Sequence, residues 1–150
     1  MKVKIIPVLI MLMFGIAMYF LDRFLPFGEF DFFGRKEMVY VVATIGFLIL
    51  AVALYQFKRA KTTVDPLNPE RVSSLVTTGI YSFTRNPMYL TMLLLLIAFG
   101  LRLGNAFNVL VAAGFVYYMN HFQIKYEEAA LLSHFGQKYK LYRKAVRRWF

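Results

Sequence analysis

Two long stretches without charged residues constrain the fold of this chain more than any other feature. Residues 38–57 contain no charged side chain, and residues 3–21 are apolar apart from Lys4. A helix that crosses about 30 Å of hydrocarbon needs roughly 20 apolar residues, and both stretches meet that length. The hydrophobic content of 59% also exceeds the ~45–50% of soluble domains. The sequence therefore predicts an integral membrane protein with helical spans.

The first stretch has one feature of a secretory signal, since Lys2 and Lys4 precede its apolar part. It is longer than the usual apolar region of such signals, and no cleavage site with small residues follows it. We therefore interpret it as an uncleaved anchor.

Two shorter apolar runs, residues 88–101 and 106–119, follow in the second half. Runs of this length also fit buried core helices or re-entrant segments. Their uncharged flanks extend them to residues 87–101 and 106–124, closer to the spanning length. Residues 102–105 between them, Arg-Leu-Gly-Asn, have turn chemistry. We predict a helical hairpin, and hence an all-α integral membrane protein with four transmembrane helices.

The distribution of basic residues favours this topology. The net charge of +10 could indicate nucleic-acid binding. However, 14 of the 18 Lys and Arg lie at the N-terminus, within residues 58–85 or after residue 124. The positive-inside rule then places both termini and the middle loop in the cytoplasm, which explains the charge without nucleic acid. We predict a location in a bacterial or archaeal cytoplasmic membrane.

The C-terminal residues combine charge with a helical repeat. Tyr139, Tyr142, Val146 and Trp149 recur at helical spacing, and basic residues fill most positions between them. This pattern predicts a cytoplasmic amphipathic helix that lies on an anionic leaflet. We divide the chain into two N-terminal transmembrane helices (residues 1–60) and a region that holds the candidate site (61–150).

The middle loop and the start of the third span contain the first candidate binding residues. Asp65-Pro66 and Asn68-Pro69 are turn signals. Asn86 before Pro87 predicts a helix N-cap followed by proline at the first helical position. The positive end of the helix dipole, with Arg85 beside it, suits a carboxylate or phosphate. A capped helix with a snorkelling arginine explains these residues equally well.

Glu127 and Glu128 directly follow the last predicted span. Ionisable residues near membrane depth are costly and tend to be functional or paired, although a solvated pair at a helix end is an adequate alternative. The hairpin should make Arg85 and Glu127 neighbours. Nearby aromatic candidates are Tyr81, Tyr89, Tyr126 and Tyr139. An anion receptor, a carboxylate and aromatic faces suit a zwitterionic ligand with a further cation, such as S-adenosylmethionine.

Several motifs in the second half resemble those of membrane methyltransferases. They are Leu75-Val76-Thr77-Thr78-Gly79-Ile80-Tyr81, Arg85-Asn86-Pro87-Met88-Tyr89, Glu127-Glu128, and Phe135-Gly136 with Tyr139 and Tyr142. These enzymes include isoprenylcysteine carboxyl methyltransferases and bacterial phospholipid methyltransferase-like proteins. Because several motifs occur in the right order, the resemblance is more specific than any single motif.

The resemblance implies that S-adenosylmethionine is the cofactor and that it binds among the middle loop, the start of the third span and the glutamates. Arg85 and Glu127 are the catalytic candidates, and no metal is implied. The residues implied to bind the cofactor are Leu75, Val76, Tyr81, Asn86, Pro87, Met88, Tyr89, Glu127 and Glu128.

Three positions depart from the family pattern. Asn86 stands where the isoprenylcysteine branch has His, and Thr91 stands where Gly is common. Gln123 occupies a place where that branch carries an arginine for the substrate carboxylate. The cofactor prediction survives these differences, but they do not favour a prenylcysteine substrate.

The predicted function is therefore methyl transfer to a lipophilic or membrane-partitioned acceptor that carries a carboxylate, thiol or amine. Membrane lipids and this acceptor are the expected partners. Two alternatives stay open: a sterol-reductase-like enzyme that uses NADPH, and a non-catalytic binding or assembly protein with the same fold. The absence of cysteine excludes disulfides and thiolate chemistry of the protein itself. His121 and His134 are assigned no role.

Overall fold

The computed structural model describes residues 6–60 and 74–150. Regular structure within these ranges is helical, apart from one isolated bridge between Glu29 and Asn105. The α-helices are α1 (Pro7–Phe24), α2 (Arg35–Arg59), α3 (Pro87–Leu103), α4 (Asn108–Tyr118), α5 (Lys125–Phe135) and α6 (Gln137–Ala145). Tighter turns occupy Pro26–Gly28 and Gly79–Ser82, and a π-helical segment, Met119–Ile124, joins α4 to α5. The predicted all-α class is confirmed, whereas the turn signals at residues 65–69 lie outside the described ranges.

Within the described residues, α1 and α2 are the helices that are long and apolar enough to cross a bilayer. Only 17% of the apolar window of α1 and 11% of that of α2 are buried. The core helix of a soluble protein would be mostly covered, so these outward apolar faces fit contact with lipid. The helix α3 is apolar but has 17 residues, and α4 has 11. The structure thus supports two spans by length, and the count of four stays a prediction.

The predicted hairpin corresponds to α3 and α4, which a short connection joins. Helix α3 begins at Pro87 with Asn86 at the N-cap position, as the sequence predicts. The following helix extends further than the predicted end at residue 124. Helical backbone angles continue from α4 through the π-helical segment into α5, and the path ends only at Gly136. The prediction ended the helix just before the first charged residue after the apolar run, because it was based on hydropathy. The helix itself continues past that residue.

Two buried clusters hold the helices together. The larger one lies among α1, α3 and α4 and includes Ile10, Met18, Leu96 and Phe115. A hydrogen bond from Thr91 Oγ1 to the Gly46 carbonyl, 3.0 Å long, adds a polar contact between α3 and α2. The smaller cluster lies at the end of α2, beside the 79–82 turn and α6, and consists of Ala53, Tyr81, Tyr139, Tyr142 and Val146.

The C-terminal helix differs from the predicted one in extent and in what covers its aromatic face. Helix α6 ends at Ala145, and Val146 is extended, so the helical repeat does not continue to Trp149. Tyr139, Tyr142 and Val146 are buried within the protein. The side chains of Lys140, Leu141 and Lys144 remain exposed. Placement of α6 on a leaflet stays a prediction, in which this exposed side of the helix would contact the lipid.

Gly79 fixes the position of the 79–82 turn against α2. Its φ of +61° lies in the left-handed region, which favours glycine. A Cβ at this position would overlap the side-chain amide of Gln56. That amide also holds the turn, because Gln56 Oε1 accepts a hydrogen bond from the Ile80 N–H at 3.3 Å. Tyr81, two residues later, is held in place by the same turn.

We predict that Gly79→Ala destabilises the protein more than Gly34→Ala. Both glycines have positive φ, at +61° and +87°, so both variants bear a strain of roughly 1–2 kcal/mol. A Cβ at Gly34 meets nothing within 4 Å, whereas at Gly79 it displaces Gln56 and loses about 1 kcal/mol of hydrogen bonding. Thermal unfolding in detergent measures both losses. Equal losses would show that the Gln56 contact does not support the turn.

Candidate active site

A cavity of about 310 Å³ lies where the start of α3, the start of α5 and α6 meet. Its size is at the lower end of the range for small-molecule sites, about 300–1,000 Å³. All ten residues predicted for the site line this cavity: Leu75, Val76, Tyr81, Arg85, Asn86, Pro87, Met88, Tyr89, Glu127 and Glu128. The structure therefore brings the predicted residues together, and their individual roles stay predictions.

Part of the cavity wall comes from the N-terminal half of the chain. Ile6, Pro7 and Val8 contribute from the beginning of α1, and Phe57 contributes from the end of α2. The predicted division of the chain placed both helices outside the region that holds the candidate site. They also close the cavity, because α1 packs on α3 and α4 while α2 packs on α3 and the 79–82 turn.

The first turn of α3 faces the cavity without a side-chain cap. Asn86 stands at the N-cap, but its Nδ2 donates to the Arg148 carbonyl at 3.1 Å and does not bind the N–H groups of the first turn. The first bond of the helix runs from the Leu90 N–H to the Asn86 carbonyl at 2.9 Å. Met88 and Tyr89 precede this bond and line the cavity. The helix end therefore offers partial positive charge there.

Glu128 is the centre of a buried ion cluster. Its Oε1 accepts from Arg85 Nη2 at 2.7 Å and from Arg148 Nε at 3.0 Å, and its Oε2 accepts from Arg148 Nη2 at 2.7 Å. Arg85 Nη1 donates to the Arg143 carbonyl at 2.7 Å. Arg85 is thus already engaged within the protein, and its place in an anion receptor stays one of the two interpretations of the sequence. Its buried Nε has no partner among the described residues.

Glu127 has different surroundings from its neighbour. Tyr89 donates to its Oε1 at 2.5 Å, and Gln123 Nε2 donates to the same oxygen at 2.6 Å. No hydrogen bond from a described residue reaches Oε2. Burial raises the pKa of Glu127 to about 7, against the lowering effect of the Tyr89 and Gln123 hydrogen bonds and with a further rise from Glu128. Glu127 is therefore partly ionised at neutral pH, and Arg85 pairs with Glu128 instead.

Three tyrosines form the aromatic side of the cavity. The Tyr142 hydroxyl donates to the Tyr81 carbonyl at 2.7 Å, and the Tyr81 ring meets Phe57 edge to face. Burial raises the pKa of Tyr139 to about 12 and also raises the pKa of Tyr81 and Tyr142, so all three hydroxyls stay neutral. Tyr126, the other aromatic candidate, is 53% exposed and does not line the cavity.

Two residues that support the site, Arg148 and Asn120, were not predicted from the sequence. Arg148 is one of seven basic residues after position 124, and nothing in its local sequence distinguishes it from the others. Asn120 Oδ1 accepts from Trp149 Nε1 at 3.2 Å and from Arg148 Nη1 at 3.5 Å. Asn120 lies in the π-helical segment, a distortion that often occurs at functional sites but has no simple sequence signal.

Comparisons with known proteins identify the family of the chain. The family model described as phospholipid methyltransferase matches residues 38–138. The chain is 47% identical over 62 residues to an uncharacterized protein of Haemophilus influenzae, a match that covers 41% of this chain and 98% of that protein. It is 30% identical over 113 residues to the Protein-S-isoprenylcysteine O-methyltransferase of Schizosaccharomyces pombe, covering 72% of this chain.

The match spans 48% of the length of the Schizosaccharomyces pombe enzyme, so this chain corresponds to about half of it. No solved structure matches the chain. The family model covers most of the chain, from the beginning of α2 to the beginning of α6. The resemblance seen in the motifs is thereby confirmed, and the chain belongs to the phospholipid methyltransferase family.

Proposed function

We propose that this protein is a membrane methyltransferase that uses S-adenosylmethionine and transfers its methyl group to a lipophilic acceptor. The observation that carries the proposal is the pairing of Glu127 in the cavity. One oxygen of its carboxylate is held by Tyr89 and Gln123, and the other has no hydrogen-bond partner among the described residues. A carboxylate arranged in this way suits a cationic ligand, because it is fixed in position but not neutralised by the protein.

The chemistry of the cavity fits the proposed cofactor. S-adenosylmethionine carries a carboxylate, an ammonium and a sulfonium. Glu127 would bind the cationic part, and the uncapped start of α3 at Met88 and Tyr89, with Arg85 beside it, would bind the carboxylate. The aromatic rings of Tyr81 and Tyr139 provide faces that attract cations and pack on flat groups.

When bound, the cofactor supplies a sulfonium-activated methyl group for displacement by a nucleophile. The residues of this chain contribute position and exclusion of water. Glu127 and the start of α3 orient the ligand, which lowers the entropic part of the barrier. Apolar side chains form most of the remaining wall and keep water from the sulfonium: Pro7, Val8, Phe57, Leu75, Val76, Met88, Met92 and Leu131.

A lipophilic acceptor is favoured by the seam between α1 and α3. Pro7 and Met92 on this seam line the cavity. About one helical turn further along both helices, a second, almost wholly apolar groove begins. Its lining residues are Met11, Leu12, Gly15, Ile16, Tyr19, Phe20, Leu95, Leu96 and Phe99. We infer that an acceptor in the bilayer approaches along this seam, in a four-span topology with both termini in the cytoplasm.

The first prediction from this function concerns ligand choice. The purified full-length protein in detergent should bind S-adenosylhomocysteine at micromolar strength and should not bind NADPH. Isothermal titration calorimetry measures both. Binding of NADPH alone would indicate a reductase, and binding of neither ligand would favour a non-catalytic protein.

The second prediction concerns pH. A Glu127 carboxyl with a pKa of about 7 is mostly neutral at pH 5.5 and mostly ionised at pH 7.5. Because the ionised form attracts the ligand ammonium, affinity for S-adenosylhomocysteine should rise roughly tenfold between these values. Glu127→Gln keeps the shape of the side chain but removes the charge. It should bind about tenfold more weakly at pH 7.5 and lose most of the pH dependence.

A matched control for this variant is Glu37→Gln, which removes a carboxylate from an exposed position at the start of α2. The affinity of this variant for S-adenosylhomocysteine should equal that of the parent protein at pH 5.5 and at pH 7.5. If Glu127→Gln has the affinity and the pH dependence of the parent protein, Glu127 does not bind the ligand ammonium.

The third prediction identifies the acceptor. Membranes that contain the protein should incorporate label from S-adenosylmethionine labelled at its methyl group into an organic-extractable product. Membranes with Glu127→Gln at equal expression should incorporate much less. Label that appears only in water-soluble products would contradict a lipophilic acceptor.

A further inference from the structure

The last residues of the chain connect the two helix ends that form the cavity. We name residues 146–149 the C-terminal clasp. Its main chain accepts hydrogen bonds from the residues before α3: the Arg147 carbonyl from the Arg85 N–H at 3.0 Å, and the Arg148 carbonyl from Thr84 Oγ1 at 3.0 Å. The Arg148 carbonyl also accepts from Asn86, as described above. The clasp therefore holds the residues that enter α3.

The side chain of Arg148 connects the clasp to α5. Two of its nitrogens bind the two oxygens of Glu128, at 3.0 and 2.7 Å. This paired geometry is the strong arrangement for a guanidinium and a carboxylate. The Trp149 ring next to it donates to Asn120 and packs on the larger buried cluster. One residue thus holds the start of α3 with its carbonyl and the start of α5 with its guanidinium.

The charges around the two glutamates are unequal as a result. Glu128 is 6% exposed and is in contact with two guanidinium groups, those of Arg85 and Arg148. Among the described residues, the hydrogen-bond donors to Glu127 are the neutral side chains of Tyr89 and Gln123. Without Arg148, Glu128 would leave more negative charge beside Glu127, and it would lose the two hydrogen bonds that fix its carboxylate in the orientation that meets Arg85.

We propose that Arg148 is a positioning residue of the cavity: it neutralises Glu128, fixes Arg85 against α5 and so leaves Glu127 as the glutamate that meets a cationic ligand. The inference rests on the proposed function, because it assigns Arg148 a role in binding the methyl-donor cofactor. Arg148 does not line the cavity and acts through Glu128 and Arg85. The sequence motifs of the site do not include it.

Arg148 acts on Glu127 through charge, so a test must consider every titratable or charged group that lines the cavity with Glu127. These are Glu128 on its own helix, Arg85 and Tyr89 from the start of α3, and Tyr81, Tyr139 and Tyr142 from the turn and α6. The raised pKa values of Tyr81, Tyr139 and Tyr142 keep these hydroxyls neutral between pH 5.5 and 8. The pKa of Glu127, about 7, lies within this range, so the midpoint of the pH dependence of binding reports on Glu127.

The test measures the affinity of the full-length protein in detergent for S-adenosylhomocysteine as a function of pH. Arg148→Gln should weaken binding at pH 7.5 by about tenfold and move the midpoint of the pH dependence upward. The midpoint should move because Glu128, with one guanidinium left, opposes ionisation of Glu127 more strongly. Arg148→Lys, which keeps the charge without the paired geometry, should lie between Arg148→Gln and the parent.

Lys144→Gln is the matched control, since it removes one positive charge from an exposed position on α6. It should bind within about twofold of the parent, with the same pH midpoint, because exposed charges are largely screened. A general loss of folded protein would lower the amount of bound ligand without moving the midpoint. The midpoint therefore separates positioning from a purely structural role.

A second comparison covers the case in which Arg148→Gln does not fold. Glu128→Gln removes the buried carboxylate, so the double variant Glu128→Gln/Arg148→Gln leaves no buried charge unpaired and should bind within about twofold of Glu128→Gln alone. A further loss of about tenfold from Glu128→Gln to the double variant would overturn the proposal, as would parent-like affinity and midpoint in Arg148→Gln itself. If the parent does not bind S-adenosylhomocysteine, the proposed function fails and this inference fails with it.

Discussion

The buried pairing of Glu128 with two arginines is the interaction on which the rest of the site depends. Arg85 comes from the residue before the α3 N-cap, Glu128 from α5 and Arg148 from the C-terminal clasp. A buried carboxylate is costly unless charge and hydrogen bonds compensate it, and here both oxygens are occupied. Because the three partners are far apart in sequence, their pairing fixes the relative positions of three segments. The cavity lies among these segments.

The two adjacent glutamates illustrate how position on one helix separates chemical roles. Glu128 points to the arginines, and Glu127 points to Tyr89 and Gln123. Neighbouring residues on a helix are about 100° apart, so two identical side chains face different surroundings. Gln123 lies one turn before Glu127 in the π-helical segment and donates to it directly. The Gln123 side chain is uncharged, so Glu127 has a neutral partner there.

Much of the site could be predicted from its motifs, because each motif is a short run that one helix end or turn keeps together. Tyr81 with the 79–82 turn, Arg85 to Tyr89 at the start of α3 and the glutamates of α5 are examples. Their convergence followed from the predicted hairpin. The C-terminal pattern was less informative, because helical periodicity identifies an apolar face but not what covers it. Tyr139 and Tyr142 of this face pack inside the protein, and placement of the exposed side of α6 on a leaflet stays a prediction.

The sequence by itself determined the helical class, the two long apolar helices and ten of the residues that line the cavity. Hydropathy, proline and glycine signals and local motifs act over a few residues, so they can be read along the chain. The tertiary structure decided which glutamate is neutralised, what Arg85 binds and that Arg148 belongs to the site. These outcomes depend on contacts between residues 20 to 62 positions apart, such as Arg148 with Glu128 and with Asn86. No local pattern encodes such contacts, because burial and the final geometry select the partners.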